Sequence, residues 1–324
     1  MTGINYQLAL EAVRVAEVAA LAASRLTGLG DEKAADQAAV DAMRSALNEL
    51  PMSGTVVIGE GERDEAPMLY IGEEVGQGGA GIDIALDPLE GTTITAKAMA
   101  GSLAVLAFAD KGHFLHAPDV YMNKIGVGGG LPDNVVDLDA EPKENLANLA
   151  KAKGCDVSDL IACILDRPRH EELIAKTREA GARIALITDG DVSGVIATTV
   201  AGSGIDIYMG SGGAPEGVLA AAALRCIGGQ FQGRLQFRND DERGRAHRVG
   251  ITDLDRKYSM EELASGNVIF AATGVTTGTM LQGVKRVPGG AVTQSISMIS
   301  TTGTVRTITA EHRFDNNPRL ARFA

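Results

Sequence analysis

The chain has 324 residues, 45% of them apolar, and a formal net charge of −12. That is enough apolar chain for one large α/β domain or two smaller lobes. The acidic balance and the lack of a basic stretch argue against a polyphosphate backbone as partner, so no nucleic acid is expected.

No run of about eighteen uncharged apolar residues offers a membrane span. Glu11, Arg14 and Glu17 interrupt the first apolar stretch, which speaks against a signal peptide. Cys155, Cys163 and Cys226 are odd in number and lack metal-ligand spacing. A reducing, cytoplasmic location is expected.

Residues 6–26 read as a helix that Gly28 stops, and Asp31 reads as the N-cap of a second helix over 32–50, closed by Pro51. At about 100° per residue, Asp36, Val40, Met43 and Leu47 share one stripe of that helix. A carboxylate on that stripe is costly unless it is paired, hydrated or bound to metal.

The stretch "GTVVIGEGERDEAPML" then gives a short β-branched strand, 55–58, and an acidic turn. "GIDIALD" alternates, with Ile82, Ile84 and Leu86 on one face and Asp83, Ala85 and Asp87 on the other. "DPLEG" reads as a rigid acidic turn after that strand, and "GSLAVLAFAD" as a further buried strand.

From residue 160 the pattern becomes regular. "LIACIL", "RIALIT" and "IDIYM" read as strands. "PRHEELIAKTREAG", "DVSGVIATTV" and "PEGVLAAAALRCIGG" read as helices between and after them. This alternation predicts a parallel sheet, with ligands beyond its carboxyl ends at "DRPRH", "TDGD" and "GSGGAPEG". "RNDDERGRAHR", 238–248, reads as a solvated turn. The segment from Val268 reads as strands that pair late onto an existing sheet. A soft boundary near residue 150 is expected, dividing the chain into halves 1–150 and 151–324.

Five acids stand out: Asp36, Glu60, Asp87, Glu90 and Glu216. The last follows Pro215 at a helix start. Two like charges about 4 Å apart cost about 4 kcal/mol at an effective dielectric of 20. If these acids meet, hard divalent cations such as Mg²⁺ or Mn²⁺ would relieve the repulsion. Pro88 stiffens the turn, Gly91 removes bulk and Thr92 adds a hydroxyl able to orient a water. Each piece alone also suits an ordinary cap or loop.

In order along the chain, "AADQAAVDAMR", "VVIGEGERDEAPMLY", "DIALDPLEGTT", "APDVYMNKI", "ILDRPRHEELI", "ITDGDV", "GGAPEGV" and "VIFAATGVTTG" resemble the class II (GlpX-type) fructose-1,6-bisphosphatases across almost the whole length. The acidic turn is similar more widely to lithium-sensitive phosphatases, including inositol monophosphatases. The resemblance implies an α/β, layered sugar-phosphatase fold (inositol monophosphatase/fructose-bisphosphatase-like) of two α/β halves with the site between them. The N-terminal half would carry most of the metal carboxylates and the C-terminal half the sugar- and phosphate-binding loops.

It also implies a fructose-1,6-bisphosphatase of gluconeogenesis, releasing the 1-phosphate with two or three Mg²⁺ or Mn²⁺ per site, and a homo-oligomer (dimer or tetramer). Asp36, Glu60, Asp87, Glu90 and Glu216 would be the metal ligands. Thr92, Glu60 and Asp36 would serve catalysis. Glu90, Gly91, Thr92, Tyr121, Arg167, Pro168, Arg169, Asp189, Gly190, Asp191 and Gly213 would line the substrate.

Arginine forks suit phosphate, and Asp189 and Asp191 suit sugar hydroxyls. Lys124, Lys285 and Arg286 are further cations without an assigned place. His170 reads as a surface helix residue. Arg63 and Glu90 depart from the pattern, and Glu90 leaves the metal preference open. Sedoheptulose 1,7-bisphosphate and inositol phosphates remain alternative substrates, and a non-catalytic phosphosugar- or metal-binding regulator an alternative role.

Overall fold

A computed structural model describes residues 4–61 and 68–315. Part of the "GEGERDEAP" motif, Arg63 included, lies outside the described residues. The chain forms two compact units. One holds 1–113 and 266–324, and the other holds 114–265.

Helix α1 (Tyr6–Ser24) starts at Asn5, whose side chain accepts the Leu8 N–H. Helix α2 (Glu32–Leu47) starts at the expected cap, Asp31, whose side chain accepts the Ala34 N–H. Such caps satisfy donors that the helix itself leaves open. Fully buried alanines, among them Ala12, Ala16, Ala19 and Ala20, let α1 pack closely against α2 and the sheet below. The sheet begins with β1 (Met52–Ile58), β2 (Glu74–Val75) and β3 (Ala80–Glu90). A short helix, α3 (Thr92–Ala96), follows, and then β4 (Leu103–Asp110). Ile82, Ile84 and Leu86 of β3 face the core, as their alternation predicts.

The second unit contributes β5 (Tyr121–Gly128), α4 (Pro142–Lys153) and β6 (Ile161–Leu165). A one-turn 3₁₀ helix (Pro168–His170), α5 (Glu171–Glu179), β7 (Arg183–Ile187) and α6 (Asp191–Ala197) follow. Next come β8 (Ile207–Gly213), α7 (Ala214–Ile227) and β9 (Gly229–Gln236). Helix α8 (Asp240–Arg248), β10 (Lys257–Ser259) and α9 (Met260–Leu263) complete it. Its six-stranded sheet runs β10-β9-β5-β8-β6-β7.

Strands β6, β7 and β8 are mutually parallel where they pair, as the alternation predicts. Strands β5, β9 and β10 join antiparallel, so the sheet is mixed. Ile125 and Val127 of β5 pack with α4 and α5. The alternate residue Lys124 points to α6, where its Nζ meets Asp191. Helices therefore cover both faces of this sheet.

The chain then returns to the first unit as β11 (Val268–Gly274), β12 (Lys285–Val287), β13 (Gly290–Ile299) and β14 (Thr304–Arg313). Strand β11 pairs antiparallel with β4 and extends the first sheet to eight strands.

Three expectations are corrected. The units do not divide near residue 150, because β5 pairs with β8 and β9 while β11–β14 pair back toward β4. "RNDDERGRAHR" is mostly helix α8 rather than a turn. Asn239 caps it, acids fill its first turn and bases its last, and Glu242 is buried against Arg238. Finally, "DPLE" is not a turn beyond the strand. Strand β3 continues through it as a bulge: Asp87 opposes Val105, but Glu90 opposes Leu103.

Candidate active site

The first unit presents four of the five acids. The bulge in β3 places two residues, Pro88 and Leu89, against one of β4, Ala104, so the strand bends between Asp87 and Glu90. Asp87 Oδ1 accepts the Leu89 N–H at 3.0 Å, which fixes the kink. Glu90 is buried, and the left-handed Gly91 turns the chain directly into α3, with Thr92 as its first residue. Helix α2 packs on β3 and α3, so Asp36 belongs to the same neighbourhood. Asp36 is half-buried, and burial pushes its carboxyl above the ordinary range. Among the described residues no cation pairs with it. Glu60 follows β1, is half-buried, and its N–H donates to Leu69 O at 3.0 Å.

The second unit holds the fifth acid. Glu216 lies in the first turn of α7 beside Pro215, as expected. Its Oε2 is shut from solvent and has no hydrogen-bond partner among the described residues. Burial, and then repulsion from Asp191, push its carboxyl up to about 7. Lys124 lowers it but does not cancel those effects, because its Nζ is committed to Asp191 Oδ2 at 2.5 Å. Lys124 and Asp191 are both buried. Gly213 has an ordinary extended backbone, yet a Cβ there would lie 1.9 Å from Glu216 Oε2. Gly212 likewise leaves room for Asp191 Oδ2. Both glycines make space for carboxylates.

The same unit carries the arginine loop. Arg167 precedes the 3₁₀ turn, and its Nη1 donates to Asp166 O at 3.2 Å. Pro168 and Arg169 are exposed. Arg169 donates from Nε and Nη2 to Ser211 O, at 3.0 and 2.7 Å, and its guanidinium lies 4.8 Å from the Tyr121 ring centre. Arg238 approaches the same ring at 5.0 Å. This second arginine escaped the sequence reading because its charged stretch read as a solvated turn. Asp189 accepts the Gly190 N–H, and left-handed Gly190 starts α6 at Asp191.

His170 is a correction: only 3% exposed, it is buried rather than on the surface. A cavity of about 350 Å³ is lined in part by Arg169, His170, Ser211, Asn123 and Gln236. Tyr121, Arg167, Asp189, Asp191 and Gly213 are not part of its lining.

The remaining cations are placed elsewhere. Arg286 donates to Leu21 O and Ser24 Oγ, and Lys285 is exposed on β12. Among the described residues, no three acidic, histidine or cysteine side chains are gathered closely enough to hold a metal ion. The orphaned Glu216 Oε2 in the second unit and the uncompensated Asp36 in the first each suit a cation, and carboxylate oxygens suit a hard one. No helix among the described residues is long and apolar enough to cross a membrane.

Known proteins resemble the chain over nearly its whole length. The family model for bacterial fructose-1,6-bisphosphatase, glpX-encoded, matches residues 6–312. The D-fructose 1,6-bisphosphatase class 2/sedoheptulose 1,7-bisphosphatase of Synechococcus sp. (strain JA-3-3Ab) is 47% identical over 96% of this chain and 97% of its own. The like-named protein of Trichodesmium erythraeum (strain IMS101) is 45% identical over 97% of this chain and 98% of its own. The chain belongs to the glpX-encoded family of bacterial fructose-1,6-bisphosphatases.

Proposed function

We propose that the chain hydrolyses the 1-phosphate of D-fructose 1,6-bisphosphate to fructose 6-phosphate and phosphate, in a metal-dependent reaction of cytoplasmic sugar metabolism. The observation that carries the metal requirement is Glu216, a buried carboxylate with an orphaned oxygen and a neighbour, Asp191, that has already taken the nearest ammonium. Asp36, Glu60, Asp87 and Glu90 would hold Mg²⁺ or Mn²⁺ in the first unit, two or three ions per site being what the family resemblance implies, and Glu216 would offer its orphaned oxygen to a cation in the second. Bound divalent ions supply charge neutralisation at the phosphate and a more acidic water.

The protein's own residues do the rest. Thr92 offers its hydroxyl to orient the attacking water, and Asp36, whose proton affinity burial has raised, accepts a proton. Glu60 stands with them as a ligand and acid. Gly91 keeps the approach to Thr92 open. Arg167 and Arg169 grip the distal phosphate, with Pro168 setting the angle between them. Tyr121, flanked by Arg169 and Arg238, packs against the sugar. Asp189, with Gly190, accepts hydrogen bonds from sugar hydroxyls. Asp191 retains Oδ1 for the same use, since Lys124 engages Oδ2.

A second reading is supported by the names of the relatives, which include sedoheptulose 1,7-bisphosphatase. On that reading the chain also cleaves the seven-carbon bisphosphate. The deciding experiment is phosphate release from fructose 1,6-bisphosphate, sedoheptulose 1,7-bisphosphate, fructose 1-phosphate and inositol 1-phosphate, with Mg²⁺, Mn²⁺ or EDTA. Turnover of the bisphosphates that EDTA abolishes is expected. Binding without turnover, or a preference for monophosphates, would reject the proposal. Assembly as a dimer or tetramer belongs to the same proposal and is read by light scattering.

A further inference from the structure

Strands β6 and β8 pair directly only at Ala162 with Ile207 and Cys163 with Tyr208. Beyond that point the ladder stops, yet the arginine loop hangs from the end of β6. His170 bridges the gap. Its Nδ1 lies 2.7 Å from Leu165 O, at the end of β6. A carbonyl only accepts, so Nδ1 carries the proton. Nε2 is then a bare acceptor, and it takes the Ser211 N–H of β8 at 2.8 Å. Gly210 provides the bed for the ring, since a Cβ there would lie 3.1 Å from Nε2.

Ser211 is thus held twice by consecutive residues. Its N–H goes to His170, and its carbonyl accepts both bonds from Arg169. The cavity of about 350 Å³ opens beside Arg169, so packing alone does not confine that side chain. Its aim rests on the Ser211 carbonyl and the Tyr121 ring. Pairing with β5 registers Ser211, and the imidazole ties the loop that carries Arg169 to it. Both ring nitrogens are spent on backbone groups and the ring is buried, so it has no proton to exchange with a substrate. Burial also keeps the ring neutral, holding its pKa below the ordinary value.

We propose that His170 is a positioning residue that locks the arginine loop onto β8 and so aims Arg169 at the distal phosphate. This rests on the reading of Arg167 and Arg169 as the distal-phosphate grip. The consequence is selective. A loosened clamp weakens recognition of a substrate with two phosphates and leaves one with a single phosphate untouched.

The test compares fructose 1,6-bisphosphate with fructose 1-phosphate in His170→Phe, which keeps the ring volume but loses both bonds. His170→Gln is the rescue variant, because its amide can donate and accept at similar spacing. His170→Phe should raise KM for the bisphosphate about tenfold with kcat nearly unchanged. Its kcat/KM for the monophosphate should match the wild type, and His170→Gln should recover most of the loss. Equal effects on both substrates, or none on either, would overturn the proposal. Where His170→Phe does not fold, His170→Asn carries the same comparison.

Arg169→Ala separates the two readings. If it discriminates between the substrates and the His170 variants do not, the clamp is wrong and the grip stands. If Arg169→Ala treats both substrates alike, the grip itself is wrong.

Discussion

Glu216 folds its carboxylate so tightly against Gly213 that a Cβ on that glycine would lie 1.9 Å from Oε2 and 2.7 Å from Cδ. The backbone at Gly213, φ −66° and ψ 145°, suits any residue, so volume rather than conformation demands glycine. Gly213→Ala should therefore push the Glu216 carboxylate away with little harm to the fold. Half-maximal activity should need roughly tenfold more Mg²⁺, as expected when one ligand is misplaced. A titration of activity against Mg²⁺ reads this directly, and an unchanged midpoint would separate Gly213 from metal binding.

Glu216 itself carries a pH-dependent cost. Its folded-state pKa is raised to about 7 from 4.5, chiefly by burial and then by Asp191. Between those values the folded protein holds a proton that the unfolded chain has released. Without metal, stability therefore falls as pH rises through this window, and the full cost is present above about pH 7. Glu216→Gln should melt higher than wild type at pH 8 in EDTA and merge with it below pH 4.5. The same variant should lose turnover and the rise in Tm that Mg²⁺ gives the wild type. A variant that still gains stability from Mg²⁺ to the full extent would remove Glu216 from the ligand set.

The parts of this architecture that local chemistry writes are visible in the sequence. Asp31 caps α2 and Pro215 enters α7 because a cap or a proline acts within one turn. The β3 alternation is likewise local. Other features depend on partners distant in the chain. Nothing near His170 shows that its ring will accept an N–H from Ser211, 41 residues away. The segment from Val268 reads as strands that pair late onto an existing sheet, and it does so, but nothing at either end of the 158 positions from Asp110 to Val268 names β4 as the partner. The bulge at Asp87–Glu90 read as a turn because proline and two acids suit turns equally well, and only pairing with β4 distinguishes them. Helix α8 has few apolar residues to betray its period. Its order of Asn239 first, acids next and bases last was the readable signal.

A third raised carboxyl, after those of Asp36 and Glu216, stands in α1. Glu17 is 8% exposed, and burial lifts its pKa to about 7 despite a hydrogen bond from Thr293 and the charge of Arg14. The sign is again that of an acid favoured in its protonated form, so its cost appears as pH rises from 4.5 to about 7. Glu17→Gln keeps an acceptor for Thr293 and should stabilise the protein at pH 8 by roughly 3 kcal/mol. Thermal melts at pH 8 and pH 4.5 should show the gain at the first and none at the second. Turnover should be unchanged, because Glu17 packs α1 against β13 and carries none of the proposed chemistry. A gain that persists at pH 4.5 would point to packing rather than charge.

Lys124 and Asp191 test the reverse case, a pair whose charges cancel. Their side chains are 1% and 7% exposed and 2.5 Å apart. Removing one member strands the other in a low-dielectric site, which typically costs about 3–5 kcal/mol. Lys124→Met should destabilise by that order, and it should also raise the cost of Glu216 by deleting a cation that lowers it. Adding Asp191→Asn removes the stranded charge, so the double variant should recover much of the loss. A double-mutant cycle by urea unfolding measures the coupling. Additive losses would mean that the two groups act independently. Recovery of stability without recovery of KM for the bisphosphate would assign Asp191 to the sugar as well as to Lys124, since its second oxygen is the one left to face a hydroxyl.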